Sequence, residues 1–120
     1  MWDGFNKRKF PRVNLHCEIV ILPETEGALL VGRTENLGSG GVCVLLTQAL
    51  ERFSECKVHL ELTENLPNID CKGKVVWIVP TRATHQPKPF FDTGIEFMNL
   101  DVKVEDLIRD FIKKRTEVIF

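Results

Sequence analysis

Six stretches of this 120-residue chain alternate apolar and polar side chains or run apolar throughout, and the links between them are short. They cover residues 13–22, 28–37, 42–46, 57–63, 69–79 and 91–97. A parallel neighbour needs a crossover of a dozen or more residues, usually a helix, so strands joined this tightly pair antiparallel. In the first stretch Val13, Leu15, Cys17, Ile19 and Ile21 alternate with Asn14, His16, Glu18, Val20 and Leu22. In the fourth, Val58, Leu60 and Leu62 alternate with Lys57, His59 and Glu61. The fifth is long and holds Gly73, which predicts a bulge or a close backbone approach that lets a sheet curve. Six antiparallel strands with one bent long member favour a closed barrel, whose closure removes the edges.

One helix follows, over about residues 101–114. Val104, Leu107, Ile108, Phe111 and Ile112 share one face. Asp101 is placed to cap its first turn, and Lys113, Lys114 and Arg115 suit its C-terminal dipole. The fold class is therefore all-β with a terminal helix. The links read as a turn at 23–27, a helical turn from Gln48 to Glu51, a loop at 64–68, and a mobile connection at 80–89 with Pro80, Pro87, Pro89 and His85. Residues 1–12 read as a flexible basic arm and 13–120 as a single domain.

Composition narrows the function. The formal net charge of -1 gives no support to a general nucleic-acid or membrane-surface role. No apolar run nears the roughly 20 residues of a membrane span, and the first residues lack an apolar signal core, so the expected location is the cytoplasm without membrane insertion. Cys17, Cys43, Cys56 and Cys71 form no CxxC pair, and no histidine completes a zinc-like spacing, so reduced thiols without a metal are expected. His16, His59 and His85 have no evident nucleophile or carboxylate arrangement, and Gly38-Ser39-Gly40-Gly41 lacks the lysine of a phosphate loop. No enzyme and no cofactor are expected.

Two stretches carry chemistry. In Arg8-Lys9-Phe10-Pro11-Arg12, Pro11 fixes its own φ and turns Phe10 away from helix, so the run is extended. It offers two guanidiniums, with Lys7 adding charge, and a guanidinium fork matches a phosphate or the O6/N7 edge of guanine. The plain alternative is a solvated basic terminus. In Asn36-Leu37-Gly38-Ser39-Gly40-Gly41, three glycines allow positive φ and close approach beside two short polar side chains. This is either a hairpin turn or a polar loop where a ligand meets the backbone.

Together, Arg8-x-x-x-Arg12 and Asn36-x-x-x-x-Gly41 resemble the paired signatures of the PilZ domain, RxxxR and (D/N)xSxxG. Gly73-Lys74-Val75-Val76-Trp77 and Gly94-Ile95-Glu96-Phe97 resemble its long strand and its closing strand. The resemblance covers about residues 7–115 and implies a six-stranded antiparallel β-barrel that binds the bacterial second messenger cyclic di-GMP. It implies a small stand-alone receptor or adaptor that signals to a protein partner through a ligand-ordered surface. Carried over by position, the binding residues are Arg8, Arg12, Asn36 and Gly41. Ser39, Lys7 and Trp77 are further candidates, the last as a stacking surface for guanine or else as a packed core ring. Period-2 counting puts Trp77 on one face with Val75 and Val79. One position departs from the signature: Gly38 stands where serine is expected, and the serine is the next residue. That departure keeps an alternative open, a PilZ-like adaptor that binds a protein and no nucleotide.

Overall fold

The computed structural model describes residues 12–25, 27–62, 66, 68–81 and 90–117. The alternating stretches form seven strands: β1 (Arg12–Asn14), β2 (Glu18–Pro23), β3 (Leu30–Gly38), β4 (Gly41–Leu46), β5 (Glu55–Leu60), β6 (Ile69–Thr81) and β7 (Phe90–Met98). The helix α1 (Val102–Glu117) follows. Every pairing is antiparallel, in the order β1-β3-β2-β5-β6-β7-β4, and pairing of β3 with β4 closes six of the strands into a ring. The extra strand, β1, lies beside β3 outside that ring.

The first stretch, expected as one strand over 13–22, is two. Both run along the same side of β3, β1 against residues 36–38 and β2 against residues 30–33. At the break three residues, 15–17, face two of β3, Thr34 and Glu35, and it is here that the register of β3 with β4 also shifts. Thr34 closes the gap. Its hydroxyl accepts from the Cys17 amide at 2.9 Å and donates to the Leu15 carbonyl, and its own amide donates to the Cys17 carbonyl at 2.9 Å. A fully buried threonine is thereby satisfied, and so are backbone groups that the ladder leaves over.

Ile19, Ile21, Leu37, Val42, Val44, Val58, Leu60, Ile69, Val75 and Ile95 fill the barrel, all but out of water. Gly73 is a point of close approach, since a Cβ there would press on Ile95 and Val58. α1 packs on β1 and β3, and Ile108, Phe111 and Ile112 join the core. Its amphipathic stripe is the expected one and it runs three residues past 114. Asp101 caps it, accepting from the Lys103 amide at 2.8 Å. The helical turn expected at 48–51 is absent among these described residues. The backbone just beyond is committed to β6 instead: the Phe53 amide donates to the Val75 carbonyl at 2.6 Å and the Val75 amide to the Ser54 carbonyl at 2.9 Å. The connection expected to be mobile, 80–89, lies outside the described residues from 82 on, and Pro80 and Thr81 belong to β6. The loop at 64–68 also lies mostly outside them.

Candidate functional site

The registers place one row of residues across the outer face of the barrel. Asn14 stands opposite Asn36, Asn36 opposite Cys43, Cys43 opposite Gly94, and Gly94 opposite Trp77. Five strands thus meet in one line, from β1 to β6. Arg12 opens β1 two residues before Asn14, so it faces the same way. Its Nε donates to Asn36 Oδ1 at 2.7 Å. That bond orients the Asn36 amide, leaving its NH2 group as a donor on the same surface.

Trp77 reaches this face because β6 carries an extra residue between Val75 and Trp77. Val75 points into the barrel, fully buried, while Trp77 shares a row with outward Gly94. The count that grouped Val75 with Trp77 is therefore corrected: an added residue reverses the faces of everything beyond it. Gly94 makes the placement possible, since a Cβ there would overlap the indole ring. Gly41 is a different case. A Cβ on it would run into the Ile95 carbonyl, so strand packing against β7 already requires glycine. Neither Gly38, Gly40 nor Gly41 has positive φ, contrary to the expectation for this loop. Ser39 follows Gly38 between β3 and β4 and is 7% exposed. Lys7 and Arg8 lie outside the described residues.

Three residues that the sequence did not single out complete the surface. Glu35, the extra residue of β3, accepts from Cys43 Sγ at 3.3 Å. Burial holds the Glu35 carboxyl above the usual carboxylate range, and the neighbouring Asp92 carboxyl on β7 adds to the effect. Burial also pushes the Cys43 thiol up to about 12, with Glu35 and Asp92 reinforcing it, so Cys43 is a neutral hydrogen-bond donor. Burial lowers the Arg12 pKa, though a guanidinium stays charged at any ordinary pH. Arg12 therefore sits near Cys43, whose thiol meets Glu35, and Glu35 in turn crowds Asp92. No local pattern announces this cluster, because Cys43 and Asp92 reach Glu35 only through strand pairing.

The model of the PilZ domain family matches residues 6–114. The chain belongs to the PilZ domain family. No curated protein sequence matches it, and the similar solved structures are distant in sequence. The structure of the PilZ domain of YcgR from Escherichia coli with c-di-GMP superposes with a TM-score of 0.73 at 14% identity, covering 90% of each chain. The Bacillus subtilis inhibitor of motility, MotI/DgrA, gives 0.75 at 15% identity, covering 91% of this chain and 51% of its own. The K. pneumonia MrkH–c-di-GMP complex gives 0.73 at 13% identity, covering 93% and 53%. The chain thus spans about half the length of the latter two. These likenesses carry the fold, a PilZ barrel with its C-terminal helix. Among the described residues no cluster of histidine, cysteine or carboxylate side chains is placed to hold a metal ion. No described helix is long and apolar enough to cross a membrane.

Proposed function

We propose that this PilZ domain binds cyclic di-GMP on the outer face spanned by β1, β3, β4, β7 and β6, as a small receptor without catalytic activity. The observation that carries the reading is the Arg12–Asn36 bond, which lies on the same face as Trp77. A cyclic dinucleotide has two phosphates and two guanines. Arg12 supplies a charged fork for a phosphate or for the guanine O6/N7 edge. Asn36, held by Arg12, offers its NH2 group to a guanine acceptor. Trp77 offers a ring on which a base can stack, worth about 1–3 kcal/mol. Arg8 and Lys7 would close on the ligand from the arm, and Ser39 would stand in for the serine that Gly38 replaces. Gly41 contributes by letting β4 lie close to β7 beneath the site. The c-di-GMP complexes of YcgR and MrkH support the choice of ligand. The output is a protein partner in the cytoplasm that reads the arm once the ligand has ordered it.

A second reading rests on Gly38. The missing hydroxyl alone would weaken binding by about 0.5–1.5 kcal/mol, and on this second reading the domain is a degenerate adaptor that binds a protein partner and no nucleotide. Calorimetric titration with cyclic di-GMP, with GTP as control, separates the two. Saturable binding is expected, and Arg12→Ala should weaken it by about 2–5 kcal/mol, the usual loss when one partner of a desolvated charge pair is removed. Absence of heat and of NMR shifts at millimolar ligand would leave the adaptor reading standing.

A further inference from the structure

The barrel wall formed by β2, β5 and the first half of β6 lies across the ring from β4 and β7, away from the face that carries Arg12. Its outward residues fall in two rows. One runs Val31, Val20, His59, Asp70, and the next runs Leu22, Lys57, Lys72. Leu29 joins Leu22 in lining a groove of about 420 Å3 along this wall. Leu29 and Val31 are 64% and 60% exposed. With Val20 and Leu22 they form an aliphatic strip on a surface that faces water, and such strips mark docking sites.

Charge points to the occupant. Across the strand registers Glu18 opposes Arg33, Glu55 opposes Lys74, and Lys74 opposes Glu96. Lys57, by contrast, opposes Lys72, the one like-charged pair among the described registers. Like charges facing each other across a ladder are destabilising, and neither lysine has an ion pair among the described residues. Beyond this pair, toward the other end of the wall, Asp70 and Glu61 gather around His59 at 2.6 and 3.4 Å. A two-fold axis passing near His59 would lay the lysine pair of one copy on the carboxylates of the other, twice over, with the aliphatic strips between them. A surface that carries both halves of its own complement suits an isologous contact. The net charge of -1 sets little repulsion between copies.

We infer that this wall is a homodimer interface, closed by aliphatic contact and by two symmetric sets of lysine–carboxylate pairs, which leaves the Arg12 face of each copy open. Sedimentation equilibrium from micromolar to millimolar protein tests it, with circular dichroism as the check on folding. The wild-type chain should pass from monomer to dimer across the range. Val31→Glu should weaken the dimer by more than tenfold. The double variant Lys57→Glu/Lys72→Glu should be monomeric alone, as should Glu61→Lys/Asp70→Lys, and an equimolar mixture of the two should regain the dimer. Addition of Val31→Glu to either member should abolish that mixed dimer, which separates docking on this wall from mere attraction between oppositely charged chains. A wild-type chain that stays monomeric at millimolar concentration overturns the inference. So does a dimer that survives both charge variants, or a mixture that stays monomeric. The readout is mass and does not depend on any nucleotide.

Discussion

Glu35 is the residue whose position matters most and whose role the sequence hides. It precedes Asn36 directly, and an unbroken strand would send the two side chains to opposite faces. The extra residue in β3 turns both to the face that carries Arg12, where Glu35 meets Asp92 and Cys43. Its pKa is raised from 4.5, first by burial and then by Asp92, so the folded chain holds this proton more tightly than the unfolded chain does. Stability therefore falls as pH rises from the ordinary value through the raised one, and the penalty is complete above it. Glu35→Gln removes the penalty. Its thermal midpoint should lie above that of the wild type at pH 7, and the gap should close as pH falls to 4. Removal of a negative charge roughly 6 Å from one phosphate of the ligand in water-like surroundings should also tighten cyclic di-GMP binding about threefold where Glu35 is ionised. An affinity unchanged by Glu35→Gln at neutral pH would show that Glu35 does not face the ligand. Arg12 and Asn36, by contrast, were picked out as a pair by two motifs local in sequence, and the structure brings them together through the pairing of β1 with β3.

Strands were easier to read than their interruptions. Each of the six stretches holds strand, the first broken into two, because alternation or a short apolar run reports buried faces. The added residues at Glu35 and near Val76 were not legible, since an inserted residue leaves the local composition unchanged while reversing the faces beyond it. The aliphatic run around Trp77 conceals the reversal further: Val76 and Ile78 can sit on either face at little cost. Thr34 was equally silent, a polar residue in an imperfect stretch, yet it holds β1 to β2 across the gap. Thr34→Val keeps the shape and deletes the hydroxyl. It should leave the Leu15 carbonyl and the Cys17 amide short of a partner, and each unsatisfied buried group costs about 1–3 kcal/mol. Urea denaturation should show a loss of about 2–6 kcal/mol for the two groups together, with an unchanged slope. A loss under about 0.5 kcal/mol would mean that water reaches the gap and replaces the hydroxyl.

The closed barrel was legible from short links and the need to remove edges, and the helix from its stripe and its cap. The packing of α1 on β1 and β3 was not, because its apolar face could have met any wall of the barrel. Under the proposed binding, that packing would give the ligand a route to the rest of the molecule. β1 is three residues long, pairs among the described residues only with β3, begins at Arg12 and lies under α1. A strand so short is held in place largely by what it touches. A ligand that grips Arg12 therefore steadies β1, and with it one of the two surfaces on which the helix rests. Ligand at a hundred times its dissociation constant adds about 2.7 kcal/mol to the stability of whatever must open for it to leave, which slows hydrogen exchange about a hundredfold. The amides of Val13 and Asn14 and those of α1 should slow by that factor along with the barrel core. If α1 keeps its ligand-free rates while the core slows, the helix opens independently of the site. The binding signal would then end at β1, and a partner that senses cyclic di-GMP would have to read the arm and the Arg12 face directly.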